Sequence, residues 1–148
     1  MIELGHVTDR KPPYRYAAYT RVAFSDTDAQ DVVYYGRYMP YFDLARTEYH
    51  RHLGTIELRG QFAMRALMVE YHAPARFDDL IEAFVRVKRI GRTSLTYECA
   101  AYRLPDDTLM VVAELIVVLV DLAERRPLPI SDAARELVRG FEGDDLDG

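Results

Sequence analysis

The chain of 148 residues has the length of one ordinary domain, and 49% of its residues are hydrophobic, which is enough to form a core. Its formal net charge of -5 argues against general nucleic-acid binding, which requires a basic face. Cys99 is the only cysteine, so an intrachain disulfide is excluded and a reducing compartment is indicated. The alternating apolar residues around Cys99 predict a buried thiol rather than a nucleophile.

Targeting signals are absent from the sequence. Met1 to Tyr14 carries charges but no apolar stretch, which is not typical of a signal peptide. The longest apolar run, Leu109 to Val120, is interrupted by Glu114 and is shorter than the ~20 residues that a membrane helix needs. We therefore expect a soluble, cytoplasmic protein with no membrane span.

Composition divides the chain into three segments. Residues 1–15 are predicted to form an N-terminal arm, and residues 16–141 a single domain without repeats or linkers. Residues 142–148 contain four acidic groups and predict a frayed C-terminal tail.

The domain begins with a predicted strand and a predicted long helix. Aromatic and β-branched residues predict a strand from Tyr16 to Phe24. Apolar residues at helical spacing predict a helix from Arg37 to Leu53, with Pro40 in its first turn and Gly54 as a left-handed cap. The last helical turn is rich in basic groups, which suit a helix C-terminus and which we interpret as end caps rather than metal ligands: His50, Arg51 and His52.

The remainder of the chain is predicted to be β-rich. Four segments have strand patterns: Leu67–His72, Ile81–Lys88, Leu95–Ala101 and Leu109–Val120. The alternation in the second predicts a half-buried strand, and the apolar fourth should be central in the sheet or paired across a subunit interface. Ser131 to Phe141 is predicted to be a short helix. One amphipathic helix against a mostly antiparallel sheet is an α+β architecture.

The polar segment before the long helix resembles a family signature. Phe24 to Tyr38 reads FSDTDAQDVVYYGRY, which is similar to the signature of the 4-hydroxybenzoyl-CoA thioesterase family of the hot-dog fold. The likeness continues in Ala45–Glu48, Glu70–Asp79 and Gly91–Leu95, which resemble the acyl-CoA thioesterase branch of that family. It implies a single hot-dog domain, in which a five- to six-stranded, mostly antiparallel sheet wraps the long helix.

The resemblance implies which residues carry the chemistry. Asp28 corresponds to the catalytic carboxylate, which is a nucleophile or a base that activates water. The backbone amide of Tyr35 corresponds to the group that holds the thioester oxygen, and the start of a helix suits that role. Asp26 is interpreted as a turn cap. Asp31 stands where the family usually has glycine, and aspartate tolerates a left-handed backbone better than most residues.

Further positions are candidates for substrate binding. The basic cluster Lys88, Arg89 and Arg92, together with Ser94, is predicted to bind the phosphates of coenzyme A, and Arg92 and Ser94 match family positions. Arg86 is equally compatible with a solvated edge. Tyr34 and Tyr38 are candidates for the acyl pocket, or they pack the helix. We interpret Glu48 as half of a structural ion pair and His72 as a satisfied polar group. These two interpretations assign no chemistry to either side chain.

The expected activity is hydrolysis of an acyl-CoA or acyl-carrier-protein thioester by a homodimer or homotetramer. No metal and no separate cofactor are expected, because coenzyme A is part of the substrate. A hot-dog hydratase or dehydratase would need a histidine paired with the aspartate, and the sequence shows none near Asp28. A non-catalytic acyl-CoA-binding module is the other alternative.

Overall fold

The computed structural model describes residues 2–56 and 62–147, and in these residues the chain forms two α-helices and seven strands. Their bounds in chain order are β1 (Gly5–Val7), β2 (Tyr16–Arg21), α1 (Met39–Leu53), β3 (Phe62–Tyr71), β4 (Leu80–Ile90), β5 (Ser94–Leu104), β6 (Thr108–Asp121), β7 (Arg126–Pro127) and α2 (Asp132–Glu142). The expected strand over Leu67–His72 is therefore the second half of a longer one. The first residues of that strand carry too weak a period-2 pattern to mark it.

All strand pairings among the described residues are antiparallel. The sheet order is β1-β2-β4-β5-β6-β3, and β7 pairs with β6. The predicted α+β fold with one long helix against an antiparallel sheet is confirmed. The sheet has seven strands rather than five or six, because β1 and β7 are only 3 and 2 residues long and too short to show a pattern in the sequence. The apolar strand β6 lies inside the sheet, between β5 and β3, as predicted.

Helix α1 packs one face onto the sheet. Pro40 lies in its first turn, where a missing N–H costs nothing, and Gly54 ends it with a left-handed φ of 82°. Phe42, Ala45 and Tyr49 are fully buried in the core. Burying a side chain such as Phe42 contributes about 1.5–3 kcal/mol, so truncation of this residue to alanine should cost about 3–5 kcal/mol.

Strand β4 is buried on both faces, so the prediction of a half-buried strand over 81–88 was wrong. Glu82 and Phe84 point away from α1 yet are fully buried. The N-terminal segment covers them: Arg10 forms an ion pair with Glu82, and the ring of Tyr14 lies 5.8 Å from that of Phe84. The sequence could not show this, because the covering residues come from a segment without a strand pattern of its own.

The C-terminal residues close the other end of β4. Glu142 is fully buried, and its Oε2 accepts hydrogen bonds from the Tyr49 hydroxyl at 2.7 Å and from the Val87 amide at 3.0 Å. Burial raises the pKa of Glu142 above its usual range. The Arg86 guanidinium donates to the backbone oxygen of Asp145 at 3.0 Å. Part of the segment predicted to be a tail therefore packs against the body of the domain.

Glu48 and His50 lie near the end of α1, and the structure tests the role that the sequence suggested for each of them. The ion pair of Glu48 with Arg51 is confirmed, with Nε 2.9 Å from Oε2. His50 is fully buried and is not an exposed helix-end cap, so that interpretation was wrong. Its ring nitrogens lie 2.7 Å from the Thr55 hydroxyl and 2.6 Å from the Tyr97 hydroxyl, which ties the helix to β5.

Cys99 is buried on β5, as predicted. Burial raises the pKa of its thiol to about 12, so the side chain is a neutral apolar group at physiological pH. In the part of the chain that the structure describes, no helix has the length and apolar character needed to cross a membrane.

Candidate functional site

The loop between β2 and α1 is built around the carboxylate of Asp28. Its Oδ1 accepts a hydrogen bond from the Gln30 amide at 2.8 Å, and its own amide donates to the Val32 oxygen at 2.9 Å. Asp31, at the family's usual glycine position, has a φ of 63°, so the expected left-handed backbone is confirmed. The tight turn leaves the side chain of Asp28 half-buried rather than extended into solvent.

Asp26 shapes this loop from the other side and is a turn cap, as the sequence predicted. Its Oδ2 accepts hydrogen bonds from the Ala23 amide at 2.8 Å and from the Tyr41 hydroxyl at 2.9 Å. Its backbone oxygen accepts from the Tyr34 amide at 2.9 Å. Burial is the main cause that raises the pKa of Tyr41, and the hydrogen bond to Asp26 raises it further. The Tyr41 hydroxyl therefore stays protonated and remains a donor. Asp26 thus joins the loop to the start of the helix, and these hydrogen bonds give its carboxylate a structural role.

The helix opens with a 3-10 turn from Tyr35 to Tyr38 that runs directly into α1. The first amide groups of a helix have no acceptor within it, and they carry partial positive charge. The position of this opening is set by the Tyr71 hydroxyl, which donates to the Tyr35 oxygen at 2.8 Å, and by the Val33 amide, which donates to Ala75 at 2.8 Å. The helix start therefore lies beside the Asp28 turn.

Asp28 and the helix start border one cavity of ≈ 390 Å³. Its walls are mostly apolar and aromatic, and the residues that line it are Asp28, Gln30, Val32, Val33, Tyr35, Tyr38, Tyr71, His72, Ala73 and Pro74. Asp28 also borders a second cavity of ≈ 430 Å³, which includes Arg76 and Phe77. A carboxylate, free helix amides and an apolar wall can together bind a carbonyl compound and stabilise an oxyanion.

The tyrosines of the site occupy different depths. Tyr38 is only 2% exposed, and its hydroxyl accepts a hydrogen bond from the Ala75 amide at 3.0 Å. Tyr35 is 62% exposed, and the ring of Tyr34 lies 4.4 Å from its ring at an angle of 37°. Tyr34 is not among the residues that line the cavity around Asp28. Tyr38 thus lies on the inner wall, whereas Tyr35 lies at the entrance.

His72 belongs to this cavity, although no sequence pattern indicated a histidine near Asp28. It follows directly after β3, its side chain is 43% exposed, and its Nε2 lies 3.6 Å from Oε2 of Glu70. Its amide donates to Met110 at 2.7 Å, which fixes the backbone beside the cavity. The statement that no histidine accompanies Asp28 was therefore wrong. The two residues are 44 positions apart, and His72 lines the cavity because β3 ends there beside β6.

The basic cluster lies at the opposite end of the sheet from Asp28. β2 ends beside the first residue of β4, next to the Asp28 loop, whereas Lys88 and Arg89 lie at the last residues of β4. Arg92 and Ser94 occupy the following turn and the start of β5. An 11-residue strand at about 3.3 Å per residue separates the two regions by about 33 Å. One chain therefore does not bring the cluster to its own Asp28.

The members of the basic cluster differ in their partners. Lys88 lies 3.4 Å from Glu114 and 3.9 Å from Glu98, so its charge is largely compensated. Arg89 and Arg92 have exposed side chains, and among the described residues neither has a carboxylate at ion-pair distance. Arg86, whose role the sequence left open, is buried and paired with Glu98 at 2.5 Å, so it is structural.

A resident metal has no evident site in this part of the chain. Among residues 2–56 and 62–147, no group of three or more His, Cys, Asp or Glu side chains is arranged to hold a metal ion.

Comparisons with known proteins relate this chain to one family. Residues 30–110 match the model of the thioesterase superfamily. The acyl-CoA thioester hydrolase YbgC of Escherichia coli is 37% identical over 112 residues, which cover 72% of this chain and 83% of that protein. The acyl-CoA thioesterase YbgC of Haemophilus influenzae is 35% identical over 115 residues, which cover 73% of this chain and 82% of that protein.

A solved structure extends the likeness to the fold. A thioesterase from Thermus thermophilus, crystallised with coenzyme A and Zn, is 26% identical with a TM-score of 0.74, and the match covers 84% of this chain and 93% of that chain. The hot-dog fold that the sequence resemblance implied is confirmed.

Proposed function

Because this chain belongs to the thioesterase superfamily, we propose that it hydrolyses acyl-CoA thioesters with Asp28 as the catalytic carboxylate. The observation that carries the proposal is the half-buried Asp28 side chain, which borders an apolar cavity next to the first amides of the helix at Tyr35. A thioester carbonyl is electrophilic, and its oxygen becomes an oxyanion on attack. The amides at Tyr35 and Gly36 supply the positive partial charge that stabilises this oxyanion.

Asp28 has two possible chemical roles in this proposal. It attacks the carbonyl carbon and forms an anhydride, or it takes a proton from an attacking water. Both routes pass through an oxyanion at the same position. Hydrolysis in ¹⁸O water under single-turnover conditions tests for the anhydride. Label in the side chain of Asp28 arises only on that route, when water attacks the Asp28 carbonyl, whereas attack on the acyl carbonyl puts the label in the product on either route.

The difference in burial between the cavity walls indicates where the acyl group and the thiol arm of the substrate bind. The inner wall at Tyr38 is buried and apolar, and we assign the acyl group to it, with Tyr34 at the rim beside Tyr35. The outer wall at His72 is partly exposed. The thiol arm leads to a charged nucleotide, so it must leave on the exposed side. An acyl-carrier-protein thioester has the same pantetheine arm and would use the same path.

A second copy of the chain completes the site in this proposal. Strand β3 lies at an edge of the sheet and exposes several large apolar side chains, namely Met64, Leu67, Met68 and Tyr71. An exposed apolar edge strand is a surface for pairing. If two copies pair antiparallel through β3, the end of one sheet that carries Asp28 lies beside the basic end of the other. A homotetramer would need a further interface between two such dimers.

The nucleotide of coenzyme A would then bind to the basic cluster of the second copy. Arg89 and Arg92 provide exposed guanidinium groups, and Lys88 and the Ser94 hydroxyl lie next to them. Guanidinium groups bind phosphates with paired hydrogen bonds, which suits the pyrophosphate and the ribose phosphate.

The test is hydrolysis of acyl-CoAs of short, medium, long and aromatic acyl groups by the wild type and by Asp28→Asn. The substitution changes little volume but removes the nucleophile or base, so turnover should fall on the order of 10³-fold. Asp31→Asn is the matched control: it removes a carboxylate from the same loop, and asparagine tolerates the left-handed φ. Its turnover should fall less than about 3-fold. Turnover near the wild-type value in folded Asp28→Asn would exclude Asp28 from the chemistry.

A second candidate function follows from His72. An aspartate and a histidine in one cavity are also the groups of a hydratase, although His72 lies at the end of a strand rather than on the loop or helix. Addition of water to an enoyl-CoA by the wild type, without release of free thiol, would favour this alternative.

A further inference from the structure

The cavity around Asp28 contains five side chains that ionise, and their hydrogen bonds distinguish them. Tyr71 donates its proton to the Tyr35 oxygen at 2.8 Å, and the Tyr38 hydroxyl is held by the Ala75 amide at 3.0 Å. Burial raises the pKa of both hydroxyls. The Tyr35 hydroxyl interacts with that of Tyr34. His72 is the remaining group, and histidine is the side chain whose ordinary pKa, about 6.5, lies closest to neutrality.

His72 stands on the side of the cavity where the thiol arm leaves. It follows the last residue of β3, the exposed edge strand, whereas Tyr38 closes the buried side. Sulfur departs as a thiolate whose conjugate acid has a pKa near ~8.5 by analogy with cysteine, so at neutral pH the product is mostly the protonated thiol. A proton donor on the exposed wall therefore lies where the leaving sulfur needs one.

We propose that His72 is a second catalytic residue, which donates a proton to the leaving sulfur. The proposal rests on the thioesterase function proposed above. It assigns to His72 a role in expelling the thiol, and it assigns to Asp28 and the helix amides the attack on the carbonyl. The ring lies beside Glu70, whose Oε2 is 3.6 Å from Nε2.

The proton balance closes in either route for Asp28. When the carbon–sulfur bond breaks, its electron pair goes to sulfur, and the proton of the His72 imidazolium goes to the same sulfur. The products of this step are a neutral thiol and a neutral imidazole. Once water has completed hydrolysis, the carboxyl of Asp28 and the carboxylic acid product hold two protons. One of these returns to His72 and the other goes to solvent.

Several charged or titratable groups surround His72 and belong to this proton balance. Those that line the cavity are Asp28, Tyr35, Tyr38 and Tyr71. Glu70 lies 3.6 Å from the ring, and the Arg103 guanidinium donates to the Pro74 oxygen at 3.2 Å. Arg103 is itself paired with Asp106 at 2.8 Å. Glu70 is therefore the carboxylate in contact with the ring, and Asp28 lines the same cavity.

The experiment compares two leaving groups on the same acyl chain. One substrate is the pantetheine thioester and the other is the 4-nitrothiophenyl thioester, and neither carries a nucleotide. An alkyl thiolate is a poor leaving group that benefits from a proton, whereas the nitrothiophenolate is stable without one. His72→Gln should lower kcat/KM for the pantetheine thioester by about 10²-fold, within the usual range for general acids. It should lower kcat/KM for the aryl thioester by less than about 3-fold.

Two control variants and one alternative substitution allow the outcome to be interpreted. His52→Gln, a histidine outside the cavity that pairs with Glu3, should leave both rates near the wild-type values. His72→Asn serves as a second substitution if His72→Gln folds poorly. Asp28→Asn should lower the rate on both substrates. A loss on both esters in His72→Gln, or on neither, overturns the role of His72. Failure of the wild type to hydrolyse either ester would instead overturn the thioesterase function.

Discussion

The two ends of the long strands differ in charge and in construction. At one end, the Asp28 loop, the helix start and the end of β3 enclose an apolar cavity with a carboxylate. At the other end, Arg89 and Arg92 extend into solvent beside a turn held by the C-terminal helix, where the Arg135 guanidinium donates to the Gly91 oxygen at 3.1 Å. The Asp28 cavity and the exposed guanidinium groups of Arg89 and Arg92 are thus about one strand length, or about 33 Å, apart.

In the function that we propose, this separation requires a second copy of the chain. Each chain would supply one half of each of two sites, and antiparallel pairing through β3 would join complementary halves. Met68 is 69% exposed on this edge, in a position where a monomer would gain nothing from a large apolar side chain. Assembly and activity should therefore be lost together.

The largest effect is expected from breaking the edge. Met68→Lys places a charge on β3, which opposes edge-to-edge pairing. We expect sedimentation at micromolar concentration to change from a dimer or larger species to a monomer, with kcat/KM for acyl-CoA lower by about 10²-fold because nucleotide binding is lost. Leu137→Lys is the control, since this exposed apolar residue lies on α2 and not on the edge. An active monomer would refute shared sites.

A smaller effect is expected from removing one phosphate contact. Arg92→Ala should raise KM for acyl-CoA by about 10-fold with little change in kcat, because the phosphates do not change during the reaction. The pantetheine thioester, which lacks the nucleotide, should be hydrolysed at the wild-type rate. Arg139→Ala is the control, because Arg139 pairs with Glu136 on α2. An equal change in kcat/KM for both substrates would show that the nucleotide binds elsewhere.

The smallest effect concerns the stability of the basic end. Burial raises the pKa of Glu142, so its neutral form is favoured in the folded state. Its contribution to the free energy of unfolding is fully present below its ordinary pKa of 4.5 and is lost as the pH rises through the higher folded value. Glu142→Gln does not ionise, so its Tm relative to the wild type should increase between about pH 5 and 7.

Thermal unfolding of both proteins across this pH range checks the prediction. A difference in Tm that stays constant, or that decreases toward neutral pH, would show that Glu142 is as easily charged in the folded protein as in the unfolded chain.

Local patterns in the sequence predicted much of this architecture. Pro40 and Gly54 indicated the ends of the long helix, because each has a backbone preference that suits one position. Asp31 could be predicted to adopt a positive φ because it stands at the family's usual glycine position and aspartate tolerates that backbone. The strands β4, β5 and β6 were visible in their alternation or apolar composition. These features depend on residues close together in the chain.

The features that the sequence did not show depend on contacts between distant residues. The burial of Glu82 requires Arg10, which is 72 positions away, and the hydrogen bond of His50 to Tyr97 spans 47 positions. His72 lacks any local sign of its place beside Asp28, since that place follows from the pairing of β3 with β6. The site was therefore predictable on the Asp28 loop and not on the wall that β3 supplies.

Subunit mixing tests the central claim most directly. The Asp28→Asn and Arg92→Ala variants are first assayed separately. An equimolar mixture of the two is then unfolded, refolded and assayed at subsaturating acyl-CoA, which gives kcat/KM. If Asp28 and Arg92 of different chains serve one site, each mixed dimer contains one intact site, and random mixing should restore about one quarter of the wild-type kcat/KM. If both residues act within one chain, every site in the mixture carries a defect, and activity equal to the average of the separate variants would contradict the account.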